Sequence, residues 1–275
     1  MMLDLSQRRD AVVATKALAV GYSGVPVARD LDIEVRRGEV VALLGRNGAG
    51  KTTTLHTIAG LLPRLSGQVL LHGTTPARSF HQRVRAGLAL VPEERAVVRR
   101  LTVLENIKIS RTSADAVFEI FPELLPLRHQ RAGMLSGGEQ QMLALGKFLA
   151  ARPDVLLIDE LSLGLAPLIV GRLLERVRDA AGKGTGVLLV EQQPATALMV
   201  ADRGYVLAGG RIQLAATSGE MLAQLADIEA MYLDESALND ADGADGADGA
   251  DGADGADGAG DADGKIARKG KGENS

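Results

Sequence analysis

Two rhythms of apolar and polar positions alternate along the chain. Short uninterrupted apolar runs recur at Val40–Leu44, Val155–Ile158 and Val187–Val190. Runs of this length, bounded by glycine or turn residues, suit strands buried on both faces of a sheet. Asp30 to Val35 has Leu31, Ile33 and Val35 on one side, which predicts a strand with one wet face. Ala14–Val20 and Val69–Gly73 read as further strands. Lys51 to Leu62, closed by Pro63, and Ile169 to Ala181 have helical spacing. Pro76 to Arg131 reads as mixed and more helical. Tyr205–Ala208, Gly209-Gly210 and Arg211–Leu214 predict a hairpin with a two-residue turn. Strands alternating with helices predict an α/β core built on a mainly parallel sheet.

Composition narrows the class. The chain has 275 residues, 46% of them apolar, enough for a sizeable core. No apolar run is long enough to span a bilayer, and Met1–Asp10 lacks the apolar centre of a secretory signal. With no cysteine, disulfides and thiolate metal sites are excluded. The expectation is a cytoplasmic protein. His56, His72, His81 and His129 show no metal-ligand spacing, and the scattered methionines read as packing residues. The net charge of -4 is unevenly spread: Leu238–Ser275 holds ten acids and four bases, leaving 25 acids and 27 bases in the body. A near-neutral body lacks the basic field that nucleic-acid binding needs, so no nucleic-acid partner is expected. Ala241–Gly258 is Ala-Asp-Gly six times over, followed by a basic end at Lys265–Lys271. Such a segment buries too little to offset its ordering, and residues 237–275 are expected to be a disordered tail.

Three strings carry chemistry. Gly45-Arg46-Asn47-Gly48-Ala49-Gly50-Lys51-Thr52 fits the phosphate loop G-x-x-x-x-G-K-[ST] between a predicted strand and a predicted helix. Backbone N–H groups and the helix start would face phosphates, Lys51 would reach the β and γ phosphates, and the Thr52 hydroxyl would ligate Mg²⁺. Asp159 and Glu160 close the apolar run Val155–Ile158, which puts them at the carboxyl edge of a parallel sheet. There Asp159 would hold Mg²⁺, and Glu160 would polarise an attacking water. In Leu135-Ser136-Gly137-Gly138-Glu139-Gln140-Gln141, Ser136 and Glu139 fit a capping box. A helix should start at Ser136 and run toward Ala151, its first N–H groups left bare by Gly137 and Gly138.

Taken in this order, the strings resemble the ATP-binding subunit of ABC transporters, from about Val13 to Leu233. The resemblance implies a P-loop NTPase (RecA-like) parallel-sheet core, an antiparallel β subdomain and a helical signature subdomain. The domain would span 12–236, with the helical part roughly 76–151. It also implies ATP and Mg²⁺ as ligands, and a second ATP-binding subunit packed head to tail. Each ATP would then sit between one chain's phosphate loop and the other's Ser136–Glu139. Two membrane permeases, and indirectly an extracytoplasmic solute-binding protein, complete the implied assembly, with this chain peripheral on the inner face of the plasma membrane. By the same resemblance Tyr22 stacks on adenine, and Thr53 joins the residues around the phosphates. Glu93 takes the place of a glutamine that links ATP to the membrane subunit, and it is expected with Thr52 and Asp159 among the metal-holding residues. Gln192 takes the place of a switch histidine beside the catalytic Glu160 and Lys51. Ser162-Leu163-Gly164-Leu165 lies where the family crosses between subunits.

Glu93 and Gln192 resemble one subfamily in particular: the second ATP-binding subunit of branched-chain amino-acid importers. Thr52-Thr53-Thr54-Leu55, Leu101-Thr102-Val103 and Ser162–Pro167 fit the same pattern, which urea and short-chain amide importers share. Rival readings are a non-transport cassette and a degenerate one that binds ATP but barely hydrolyses it. Three positions depart from the family: Leu161 for proline, Glu94 for glycine, and Val98-Arg99-Arg100 for an aromatic and proline. Without proline's fixed φ, the backbone carrying Glu160 is expected to be looser.

Overall fold

The computed structural model describes residues 11–232; the expected tail, and the ends of the expected domain at residues 233–236, lie outside them. In chain order the elements are β1 (Ala11–Tyr22), β2 (Val25–Leu31), β3 (Glu34–Arg36), β4 (Val40–Leu44), α1 (Lys51–Ala59) and β5 (Ser66–Leu71). Then come α2 (Phe80–Arg85), β6 (Leu88–Val91), α3 (Val103–Ile109), α4 (Ala114–Ile120), α5 (Gly137–Ala150) and β7 (Val155–Asp159). The last are α6 (Pro167–Gly182), β8 (Gly186–Glu191), α7 (Pro194–Leu198), β9 (Arg203–Ala208), β10 (Arg211–Thr217) and α8 (Ser218–Ala223).

A six-stranded sheet, β10-β9-β4-β8-β7-β6, is parallel except for the β9–β10 hairpin. The apolar runs form its centre because both faces are covered. Val41, Leu43, Val155, Leu157, Leu188 and Val190 join one core, while Val40, Leu44, Leu156, Ile158, Val187 and Leu189 join the other. Truncating such a fully buried leucine to alanine costs about 2–5 kcal/mol. A second, antiparallel sheet sets β1 between β2 and β3, with β5 also on β1.

Two expectations need correction. The strand expected over Asp30–Val35 is two strands, interrupted at Asp32-Ile33, with Asp30 in the left-handed region at φ +54°. The stretch expected to be mostly helical from Pro76 also supplies β6, which pairs with β7 in the core sheet. Leu88–Val91 is four apolar residues, too short for periodicity to separate strand from helix.

Helix α1 stops at Ala59 because Gly60 caps it at φ +84°. Its run of threonines is tolerated because Thr54 and Thr57 hydroxyls donate back to Gly50 and Thr53 carbonyls. The buried Arg83 guanidinium from α2 donates to the carbonyls of Thr57 and Ile58 at the end of α1, and to Ala77. A cation there satisfies open carbonyls and opposes the negative end of the helix.

Candidate functional site

The strands β4, β8 and β7 are neighbours, and their carboxyl ends collect the expected chemistry. Gly45 follows β4, Asp159 ends β7, and Glu191 ends β8. At Gly45 the loop passes so close to β9 that a Cβ would lie 2.5 Å from the Leu207 carbonyl oxygen. Gly50 caps α1 at φ +99°, a conformation that side-chain-bearing residues rarely adopt. Asn47 and Gly48 are exposed at the tip of the loop, and Ala49 is buried under it.

Lys51 begins α1 and is buried. Its ammonium donates to the Arg46 carbonyl at 2.9 Å and lies 3.7 Å from Glu160. Burial pulls its pKa below the usual lysine value, against the opposing pull of Glu160 and Asp159. Glu160 sits at φ +48°, strained for a residue with a side chain. Gln192 donates through Nε2 to Glu160 Oε2 at 2.6 Å. The three residues expected to be catalytic thus form one contiguous group.

The Thr52 hydroxyl donates to Asp159 Oδ1 at 3.2 Å. Burial raises the pKa of Asp159, with Glu160 and Glu93 adding to the rise. A buried carboxylate beside a hydroxyl is an oxygen-only donor pair, which suits Mg²⁺ completed by phosphate oxygens and water. Glu93 is exposed and borders a depression shared with Gln140 and Glu160. Among the described residues no three His, Cys, Asp or Glu gather as a metal cage. The Glu93 carboxylate is close enough to be felt by Asp159. The Tyr22 ring is half exposed above the loop, its hydroxyl 3.3 Å from Thr53 Oγ1.

The signature string forms the helix end expected of it. Helix α5 has Ser136 as cap, with the Glu139 N–H donating to its hydroxyl, and Glu139 Oε2 accepts from the Ser136 N–H at 2.7 Å. Glu139, expected among the nucleotide-binding residues, also accepts the Ser136 hydroxyl at 2.8 Å, so its carboxylate is committed to the helix end. Among the described residues no hydrogen bond or ion pair ties Ser136–Glu139 to Lys51, Thr52, Asp159 or Glu160.

Two residues escaped the sequence reading. Glu191 is buried, its pKa raised by burial, and it accepts from the Ser162 N–H and hydroxyl at 3.0 and 2.7 Å. Its signal was a carboxylate closing a fully apolar strand. Arg95 donates to Gln140 Oε1 at 3.1 Å and covers Gly137; nothing local in the sequence marks that contact. The expected loosening at Leu161 is not seen: its side chain is buried in the core, Glu160 N–H bonds to the Val190 carbonyl, and Ser162 N–H bonds to Glu191. The loop before Leu101 is held by buried Asn106, which accepts from Val98 N–H and donates to the Val98, Leu101 and Thr102 carbonyls.

The ABC transporter family model matches residues 28–162. The high-affinity branched-chain amino acid transport ATP-binding protein BraG of Pseudomonas aeruginosa is 41% identical over 214 residues, 73% of this chain and 91% of BraG. The lipopolysaccharide export system ATP-binding protein LptB of Escherichia coli K12 is 33% identical over 241 residues, 82% of this chain and 98% of LptB. A solved ATP-binding subunit of an ABC transporter superposes with TM-score 0.70 at 29% identity, covering 82% of this chain and 99% of that one. With a phosphate loop and an acidic strand end joined through Lys51 and Glu160, and relatives matched over nearly their full length, this chain belongs to the ABC transporter family as an ATP-binding and ATP-hydrolysing subunit.

Proposed function

We propose that the chain drives uptake of branched-chain amino acids or a related solute, as one of two ATP-binding subunits beneath a pair of membrane permeases fed by an extracytoplasmic solute-binding protein. The observation that carries the motor is the convergence of Lys51, Glu160 and Gln192 at the ends of adjoining strands. The phosphate loop and the positive end of α1 would seat the phosphates of ATP. The triphosphate would draw Lys51 away from Glu160, freeing that carboxylate to orient and deprotonate water on the γ-phosphate. Gln192 would hold Glu160 in place through its amide. Thr52 and Asp159 would hold Mg²⁺, which when bound offsets phosphate charge. Tyr22 would cover the adenine. Ser136, Gly137 and Gly138 would close over ATP held by another subunit, because among the described residues no hydrogen bond joins this helix end to its own chain's Lys51, Thr52, Asp159 or Glu160. Glu139 would keep that helix end in shape. Among the described residues no helix is long and apolar enough to cross a membrane, so membrane attachment would come through partners.

Similarity to BraG favours an amino-acid importer; similarity to LptB favours a second reading, lipopolysaccharide export. Reconstitution with the membrane subunits from neighbouring genes separates them. ATPase stimulated by a leucine-loaded binding protein supports the importer. Stimulation by lipopolysaccharide alone sinks it. Activity no higher than that of a Glu160→Gln control sinks the motor itself.

A further inference from the structure

The segment Leu101–Leu104 runs antiparallel to Arg128–Ala132, tied by Val103 N–H to the Gln130 carbonyl, Leu104 N–H to Arg128, and Ala132 N–H to Leu101. Gly133 N–H bonds in turn to the Arg99 carbonyl. This ladder brings together the segments that carry Arg99, Arg100, Arg128 and Arg131, with Lys108 in the last turn of α3 and Arg111 just after that helix; all six side chains are exposed. The single acid within residues 99–111 and 128–133 is Glu105, whose carboxylate is taken up by Thr102 and feels Lys108 and Arg131 nearby. The patch therefore carries six cations against one anion, while the whole body has 27 bases against 25 acids. Among the described residues none of the six forms an ion pair, whereas seven other arginines each hold a carboxylate. Arg128 reaches only the Leu125 carbonyl.

We infer that this arginine face is the docking surface for the chain's own Ala-Asp-Gly tail. Nine aspartates stand between Asp240 and Asp263, with no lysine or arginine among them. From Tyr232, the last described residue, 31 residues lead to Asp263, and at ~3.3–3.6 Å per residue they can span roughly 100 Å. Aspartate at every third position puts carboxylates about 10 Å apart in an extended chain, so several can meet the patch at once. Tethering raises the local concentration of the tail to the millimolar range, which makes individually weak exposed pairs effective together. Glycine and alanine supply no apolar anchor, so the contact is electrostatic and depends on salt. Its effect is to cover a cationic face that would otherwise recruit other polyanions.

The test uses the full chain with a nitroxide at Ala256→Cys, the chain having no cysteine of its own. At ~0.1 M salt, where screening acts over about 10 Å, the amide signals of residues 99–111 and 128–133 should be lost. They should return at ~1 M salt, where screening acts over about 3 Å. They should also return when the nine aspartates are changed to asparagine, and when Arg99, Arg100, Arg128 and Arg131 are changed to serine. No loss, loss spread evenly over the surface, or loss that persists in the asparagine tail overturns the assignment. Loss that disappears on tenfold dilution places the tail on another molecule and overturns the intramolecular form.

Discussion

The two halves of the nucleotide machinery are finished to different degrees. Around the phosphate loop, Lys51, Thr52, Asp159, Glu160 and Gln192 already contact one another, buried or half-buried. At the start of α5 the side chains are satisfied locally, and Ser136 is exposed. One half is held by strand ends that cannot move without disturbing two cores. The other is a capped helix end, with Arg95 lying against Gly137 and Ile169 against Gly138. Charged side chains that must be placed accurately belong on the sheet, while the helix end that we propose meets another subunit can stay simple.

Substitutions break this contrast in a graded way. The largest effect is expected for Lys51→Ala, which removes the one ammonium among the phosphate-facing groups. ATP affinity, read by equilibrium titration, should fall roughly 100-fold or more, by analogy with the loss of a preorganised charge-stabilising donor. Glu160→Gln should lower steady-state hydrolysis about 10²–10⁴-fold while ATP still binds, because only the base is lost; hydrolysis at the parental rate would remove Glu160 from that role. Ser136→Ala should leave ATP binding by the isolated chain unchanged and lower activity in the assembled transporter. It also deletes a helix cap, worth about 0.5–2 kcal/mol in a denaturant titration. Weaker binding by the isolated Ser136→Ala chain would mean that the two halves meet within one molecule.

The smallest effect sharpens the same comparison through stability. Burial raises the pKa of Asp159, so the folded state holds this proton more tightly than the unfolded state does. Keeping the group ionised therefore costs stability above its folded pKa, and the cost fades as pH falls through that value. Asp159→Asn should raise the Tm of the nucleotide-free chain at neutral pH, with the gain shrinking on acidification. It should also abolish any stabilisation by Mg²⁺ with ATP. A lower Tm for Asp159→Asn at neutral pH would show that Asp159 stabilises the fold.

Much of this was legible in the residues. The apolar runs became β4, β7 and β8, and the capping box at Ser136 gave α5 its start, because local pattern alone decides such features. β6 was missed because four apolar residues carry no period. The break at Asp32-Ile33 was missed because it is decided by tertiary pairing, β2 meeting Leu18–Tyr22 of β1 and β3 meeting Ala11–Ala14. Within the site, Lys51, Asp159 and Glu160 were readable as motifs. The Glu191–Ser162 pair and the Arg95–Gln140 contact join residues 29 and 45 positions apart, and no spacing rule connects them.

Arg83 gives α1 a fixed heel. Its guanidinium is bolted to the far carbonyls of the helix, which opposes fraying at the end away from the phosphate loop. The helix packs on β1, β7 and β8, and Glu160 and Gln192 follow directly on the last two strands. Cutting that bolt with Arg83→Met should make the last turn of α1 exchange its amide hydrogens faster, while the start of the helix, held by the phosphate loop and Lys51, keeps its protection.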